Sequence, residues 1–282
     1  MLSRRWLINC ALIVVIAALA WAGLRFDTGP EEKSSPRISS LKVEEINQVE
    51  LQLDELKLRL QRVDNGWRIT APIDWPADAA NVERLLSILK LESSALAELA
   101  DVDPQALGLQ PPKASLRLND TILLFGATNN IGGRRYLLIE SSLYLLPDVH
   151  LAFAAQGLLG VVDRRLLPEP FDITALRLPG LELRLDSGGQ WQSSREAATP
   201  QEQLELLVDN WQALPAGRIH PFDPDSDTGE LIEARFADGQ HIEFRLLATK
   251  PEIIIANPRI GLKYHFRASF YDQLLAPPDA DG

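Results

Sequence analysis

The sequence predicts an α+β protein in which an N-terminal transmembrane helix is followed by two similar strand-rich units, each with an antiparallel sheet and a packed helix. Three observations support this prediction. The 282-residue chain begins with an apolar run, its body alternates apolar and polar residues with a period of two, and its second half repeats the pattern of the first. With 46% hydrophobic and 24% charged residues, the body can bury a core.

The apolar run extends from Trp6 to Leu24. As a helix it measures roughly 28 Å, close to the ~30 Å hydrocarbon core of a bilayer. Arg4 and Arg5 precede the run and an acidic segment follows it, so the positive-inside rule places the N-terminus in the cytoplasm and the body in the periplasm. The sequence therefore predicts a single-pass protein of the bacterial inner membrane, held there by residues 6–24.

A cleaved secretory signal is the alternative, because Ala18-Leu19-Ala20 and Ala20-Trp21-Ala22 both have the spacing of a cleavage site. The apolar run is longer than a usual signal core and continues past the first of these sites, which favours a retained helix. The body is exported under either hypothesis. The single cysteine, Cys10, lies inside the run, so the exported part has no thiol with which to form a disulfide.

Changes in composition divide the chain into five predicted segments. Residues 1–25 form a cytoplasmic tip and the transmembrane helix, and residues 26–40, rich in Ser and charged side chains, form a linker. Two α+β repeat units follow at 41–168 and 169–277. Residues 278–282 are predicted to be a tail.

The first unit begins with strands and continues with a helix. Apolar residues alternate with polar ones from Val49 to Leu53 and from Leu56 to Leu60, and Asp64-Asn65-Gly66 predicts a turn before a third strand that contains Trp67. The period then becomes helical. Asp78 is the predicted N-cap, and the buried face of the helix is formed by Val82, Leu85, Leu86 and Leu89.

The second unit repeats this order. LKLRLQRVDNGWRIT, from Leu56, corresponds to LELRLDSGGQWQSS, from Leu181. A capping box, Thr199-Pro200-Gln201-Glu202, predicts the start of the second helix, with Pro at the first helical position. The buried helix face recurs at an offset of 122 residues as Leu204, Leu207, Val208 and Trp211.

The downstream halves of the units also correspond. In the first unit, alternating segments starting at Ala114 and Arg134 predict two strand pairs, and segments starting at Ile232 and Pro251 predict the same in the second unit. Each unit then ends in a short segment with helical pattern. These two segments are Val149–Ala155 and Ser269–Leu275, and Leu166–Pro170 is the predicted junction between the units.

The sequence contains no recognisable catalytic, cofactor-binding or metal-binding motif. No site residue of these three kinds is therefore predicted, and no cofactor is expected. His150, His220, His241 and His265 lack metal-ligand spacing, although His241 and His265 lie in predicted strands of one unit and could approach each other. Gly-x-Ser-x-Gly and phosphate-loop motifs are missing. A net charge of -11 argues against nucleic-acid binding, which needs a basic surface.

Two groups of residues allow an alternative interpretation. Asp223, Asp225 and Asp227 alternate with other residues, as the ligands of a calcium-binding loop do. The loop lacks the Gly and the Glu that such a loop has at its sixth and twelfth positions. A solvated connection is therefore the preferred interpretation, and calcium binding is left open. Trp67, Trp191 and Trp211 could stack on sugars. Their places beside turns and on the helix face favour packing in the core.

A resemblance to a known family rests on GWRITAPIDWPADAANVERLLSIL, TILLFGATNNIGGRRYLLIESSLYLL and VVDRRLLPEPFDITALRL. With these segments the chain resembles the bacterial domain of unknown function 4340 family. The resemblance implies a membrane-anchored envelope protein of tandem α+β units and supplies no catalytic residue. Some members of that family resemble companions of ABC-type transport or gliding-type systems.

Together these observations favour a non-enzymatic accessory or scaffold subunit of an envelope or ABC-type transport system, whose tandem units contact an envelope protein of unknown identity. The alternative is a periplasmic glycan-binding or glycan-hydrolysing protein, which requires converging acids and exposed Trp side chains in a cleft between the units. A third hypothesis is a subunit whose helix packs inside a transporter through its small residues.

Overall fold

The fold is known from a computed structural model, which describes residues 36–64, 66–130, 132–168, 171–195 and 199–276. Their strands form two antiparallel sheets accompanied by few helices, so the predicted α+β class is confirmed. The predicted membrane helix at 6–24 and the tail at 278–282 lie outside the described residues, as do Asn65 of the predicted turn and residues 169–170 of the predicted junction. None of the described helices is long and apolar enough to cross a bilayer.

The first sheet contains β1 (Gln48–Leu53), β2 (Leu56–Val63), β3 (Gly66–Ala71), β4 (Trp75–Ala77), β5 (Ala97–Glu98), β6 (Ala114–Leu118), β7 (Thr121–Thr128), β8 (Arg134–Ile139) and β9 (Ser142–Pro147). Its strand order is β4-β3-β2-β1-β6-β7-β8-β9-β5, and all neighbours are antiparallel. The accompanying helices are α1 (Ala79–Leu86), α2 (Val149–Ala154) and α3 (Leu158–Val161).

The second sheet contains β10 (Ile173–Leu178), β11 (Leu181–Leu185), β12 (Trp191–Ser193), β13 (Arg218–Pro221), β14 (Glu230–Phe236), β15 (His241–Ala248), β16 (Glu252–Asn257) and β17 (Leu262–Arg267). Its strand order is β12-β11-β10-β14-β15-β16-β17-β13, again antiparallel throughout. The accompanying helices are α4 (Gln201–Ala213) and α5 (Tyr271–Leu274).

The two sheets have the same strand order. When β1 to β3 are matched with β10 to β12, β5 with β13, and β6 to β9 with β14 to β17, the two orders coincide, and among the strands of the described residues β4 alone is unmatched. We call β1 to β9 with α1 to α3 the first unit, and β10 to β17 with α4 and α5 the second unit. The boundaries 41–168 and 169–277 stay predictions.

The helices pack their apolar faces into a continuous core that includes buried residues of both units. The predicted helix faces are confirmed, except that Leu89 belongs to a 3-10 turn, Ser87–Lys90, that continues α1. Burying such faces is the main source of helix stability in globular proteins. The buried residues of α1 are Val82, Leu85 and Leu86, and those of α4 are Leu204, Leu207, Val208 and Trp211.

The starts of the two long helices differ from each other. Asp78 caps α1 as predicted, because its carboxylate accepts a hydrogen bond from the Asn81 backbone N–H at 3.0 Å. The predicted capping box of α4 is wrong. Pro200 itself occupies the N-cap position in an extended conformation, and no side chain caps the helix. Thr199 therefore lies one residue too early to act as the cap.

Residues 161–168, which we call the connector, join the units and are hydrogen-bonded to the first. The Val161 carbonyl accepts from the Asp78 N–H at 2.7 Å, and the Asp163 N–H donates to the Pro76 carbonyl at 3.2 Å. Both partners lie at β4 or directly after it. The connector thus lies along the edge of the first sheet.

The connector is also hydrogen-bonded to the second unit. The Arg164 carbonyl accepts from the Ala216 N–H at 2.9 Å, and the Leu167 N–H donates to the Trp211 carbonyl at 3.1 Å, near the end of α4. Leu166 and Leu167 are fully buried. Because backbone hydrogen bonds and apolar burial act on both sides, the connector fixes the end of α4 close to the edge of the first sheet.

Candidate functional site

A cleft of about 880 Å³ lies where the connector meets both units. The first unit contributes the β2–β3 turn, β4 and the start of α1, and the second unit contributes the end of α4. The apolar part of the lining is Val63, Trp67, Pro76, Ala77, Ala79, Ala80, Pro168, Ala213 and Pro215, and the charged part is Asp64, Arg68, Asp78, Asp163, Arg164 and Arg165.

The Asp163 carboxylate is the buried charge of this cleft. Its Oδ1 accepts from the Arg165 backbone N–H at 2.9 Å and from Nε at 3.0 Å, and its Oδ2 accepts from Nη2 at 2.6 Å. The hydrogen bond that the Arg165 side chain donates to Asp163 raises the pKa of Arg165. This two-point contact fixes the plane of the guanidinium group at the cleft wall.

The remaining charges of the cleft differ in how they are satisfied. Asp78 uses its carboxylate to cap α1, and Arg68 forms an ion pair with Asp74. Arg164 is exposed, and no carboxylate in the described part of the chain pairs with its side chain. Asp78 and Asp163 therefore accept hydrogen bonds within the protein, Asp64 is exposed, and Arg164 presents its guanidinium group beside apolar surface.

The tryptophans that could have stacked on sugars lie in or against the core. Trp67 is 5% exposed, with the Arg62 guanidinium 4.9 Å from the centre of its ring, and Trp211 is fully buried. Core packing of these two residues is confirmed. Trp191 is half-buried and packs against the same core.

The expectation that His241 and His265 could approach each other is wrong. His241 begins β15, whereas His265 lies in β17, and β16 separates these strands. Through β16, His265 aligns with Ala248, at the far end of β15 from His241. The register, which sequence does not give, therefore keeps the two rings apart.

The structure instead brings His265 next to His220 on the edge strand β13, with ring centres 4.9 Å apart. His265 Nδ1 lies 3.1 Å from Glu252 Oε2, and the Arg218 guanidinium donates to both oxygens of the same carboxylate at 2.8 Å. Contacts with His265 and then Arg218 lower the pKa of Glu252. The fourth histidine, His150, lies in α2, where burial lowers its pKa.

In the acidic loop that contains Asp223, Asp225 and Asp227, two of the three carboxylates accept hydrogen bonds from other groups of the protein. The Lys263 ammonium donates to both oxygens of Asp227 at 2.8 Å, and the Asp223 N–H donates to Asp227 Oδ2 at 2.9 Å. Asp223 in turn accepts from the Ser226 hydroxyl at 2.9 Å, and Asp225 is exposed. Within the described ranges, no group of three or more His, Cys, Asp or Glu side chains is arranged to hold a metal ion.

Replacing Asp227 with Asn is expected to flatten the dependence of stability on pH below about pH 4. The Asp223 N–H and the Lys263 ammonium hold the pKa of Asp227 below its ordinary value of 3.8. The ionised carboxylate therefore stabilises the fold above that value, and this contribution is lost as pH falls through the lowered pKa. Thermal unfolding from about pH 6 to pH 2 measures the effect. Asp225→Asn is the control, and an equal change in both variants would contradict the assignment.

Sequence reasoning missed the connector as part of a site. Asp163, Arg164 and Arg165 stand between two apolar pairs, Val161-Val162 and Leu166-Leu167. Such a charged group between buried anchors is the pattern that could have indicated it. The other cleft residues are distant in the sequence, so their proximity could not be deduced.

Comparison with known proteins identifies the family. A family model described as "Domain of unknown function (DUF4340)" matches residues 67–222, which is more than half of the chain and includes the connector. No curated protein and no solved structure matches. The resemblance seen in the sequence is confirmed, and the chain belongs to the DUF4340 family.

Proposed function

We propose that this protein is a non-enzymatic accessory or scaffold subunit of an envelope system, anchored in the inner membrane by residues 6–24, and that its cleft docks an extended segment of a partner protein. The observation that carries the proposal is the cleft at the connector, which combines an apolar lining with guanidinium groups held at its wall. Its volume falls in the range of about 300–1,000 Å³ that is usual for binding sites.

The chemistry of the lining specifies the partner segment. Val63, Pro76 and Pro215 offer apolar surface, which suits apolar side chains. Arg165 is held in place by Asp163, and Arg164 is exposed beside it. Because a guanidinium group pairs best with a planar carboxylate, we expect the segment to carry Asp or Glu next to its apolar residues.

The same contacts favour binding over catalysis. A general acid or base must be able to exchange a proton with a ligand, and Asp163 and Asp78 already accept hydrogen bonds from the protein. Glycan binding or hydrolysis stays the alternative prediction. The glycan hypothesis has less support than docking of a peptide segment. Trp67 is buried, so little of its ring is accessible for stacking on a sugar.

Site-specific photo-crosslinking in native membranes tests the proposal. A photoreactive residue in place of Ala80, which is exposed at the cleft, is expected to capture one defined partner, whereas the same residue at Gln52, exposed on the first sheet, is not. Adding Arg164→Glu should reduce the yield from position 80 by about tenfold, since it introduces like-charge repulsion.

The captured segment then provides a direct measurement. A synthetic peptide of that segment should bind the purified full-length protein in calorimetry, and replacing its Asp or Glu with Asn or Gln should weaken binding by about tenfold. Equal capture from positions 80 and 52, no capture at all, or a yield unaffected by Arg164→Glu would reject the cleft as a docking site.

A further inference from the structure

Two charged side chains of the cleft have no ion-pair partner among the described residues, and their charges are opposite. Asp64 lies in the β2–β3 turn and Arg164 lies in the connector, and both side chains are exposed. The other four charged side chains of the lining all form hydrogen bonds within the protein, and they are Arg68, Asp78, Asp163 and Arg165. One negative and one positive group are therefore left to meet a ligand.

The strand register places these two charges at opposite ends of the lining. Trp67 of β3 pairs with Ala77 of β4, which in turn pairs with Val162 of the connector, and both pairings are antiparallel. β3 and the connector therefore run parallel, roughly 10 Å apart, because neighbouring strands are spaced by about 4.8 Å. Asp64 comes before Trp67 in the chain. Arg164 comes after Val162, so the two charges are displaced in opposite directions along the strands.

The distance between the two charges follows from this register. Asp64 lies about two residues of rise before Trp67, because it belongs to the turn, and Arg164 lies about two residues beyond Val162, which gives roughly 13 Å along the strands. With the spacing across the strands included, the two backbone positions are roughly 16 Å apart. An extended segment covers that distance in about four to six residues.

The rest of the lining is apolar and consists largely of small side chains. β4, which lies between β3 and the connector, contributes Pro76 and Ala77. The start of α1 adds Ala79 and Ala80, and the end of α4 adds Ala213. Small side chains leave room for larger apolar side chains of a ligand, whose burial is favourable. The cleft therefore presents a negative end, apolar surface and a positive end.

We propose that the cleft selects a partner segment with both signs of charge, in which a Lys or Arg and an Asp or Glu stand about four to six residues apart with apolar residues between them. The inference rests on the proposed docking function and adds a second, opposite charge to it. The cation of the segment pairs with Asp64, and its acid pairs with Arg164. A segment that carries only one sign of charge leaves one end of the cleft unpaired, so the two ends together provide specificity.

Peptide selection on the purified full-length protein in detergent tests the proposal without knowledge of the natural partner. The probe is a displayed library of random peptides that are long enough to span the cleft. On the wild type, enriched peptides should carry both charges at the stated spacing. On Asp64→Asn the preference for a cation should be lost and that for an acid kept, whereas Arg164→Glu should lose the preference for an acid and keep that for a cation.

Asp54→Asn is the matched control for the turn variant. Asp64 has a left-handed φ of 38° and Asp54 has one of 49°, a conformation that Asn also tolerates. Asp54 is exposed in the turn before β2, at the other end of that strand from the cleft. The control should therefore enrich the same peptides as the wild type.

The affinity of one enriched peptide supplies the second readout. Replacing its Lys or Arg with Gln should weaken binding to the wild type by about two- to fivefold, as for an exposed ion pair, and should not weaken binding to Asp64→Asn. Enriched acidic peptides without a preference for a cation, or with a preference that survives in Asp64→Asn, would overturn this inference and leave the docking function standing. A selection in which no enriched motif depends on Arg164 would overturn both.

Discussion

Replacing Trp211 with Ala is expected to lower the free energy of unfolding by about 3–5 kcal/mol. The side chain is fully buried on α4, its ring meets Phe244 edge to face at 5.3 Å, and its indole N–H donates to the Leu274 carbonyl at 2.9 Å. Truncation therefore leaves a cavity and an unpaired carbonyl. Chemical denaturation followed by circular dichroism measures the loss.

Two control variants separate the contributions at this position. Trp211→Phe keeps most of the apolar volume and removes only the indole donor, so a loss of about 1–2 kcal/mol is expected. Leu206→Ala lies on the same helix, but its side chain is 55% exposed, and its effect should stay within about 0.5 kcal/mol. If Trp211→Ala lowered the free energy of unfolding no more than Leu206→Ala does, the result would contradict the burial of Trp211 on α4.

Replacing Trp67 with Ala is also expected to lower the free energy of unfolding by about 3–5 kcal/mol. Trp67 belongs to the core of the first unit, and Arg62 covers its ring. Its counterpart in the repeat, Trp191, is only half-buried, so Trp191→Ala should lower the free energy of unfolding by less. Thermal and chemical unfolding of the two variants provide the comparison.

This pair of variants also discriminates between a core role and a ligand role. A tryptophan that stacks on a ligand contributes to binding more than to folding. An unchanged melting temperature for Trp67→Ala would therefore contradict the core assignment and support the glycan hypothesis. Equal losses for Trp67→Ala and Trp191→Ala would contradict the difference in burial.

Local periodicity predicted most strands and both long helices. Alternation from Val49 to Leu53 and from Leu56 to Leu60 falls in β1 and β2, and the repeated helix face is buried in both units. These features depend on near neighbours in the sequence, which is why they can be derived from it. The shared strand order agrees with the repeat that the sequence displays.

Features that depend on long-range pairing could not be predicted. β4 has three residues and contains Pro76, so it has too little alternation to indicate a strand. The approach of His265 to His220 depends on the register of β13 and β17. The cleft combines residues near positions 65, 165 and 215, and sequence gives no measure of the distances between them.

The connector has a consequence for how the two units can diverge. Repeats produced by duplication ordinarily accumulate substitutions independently, because each copy satisfies its own backbone and core. Here Val162 pairs with Ala77 in one copy and Arg165 with Pro215 in the other. A change in the backbone path on one side would displace partners on the other, so we expect these short segments to evolve together while the outer strands of each copy drift separately.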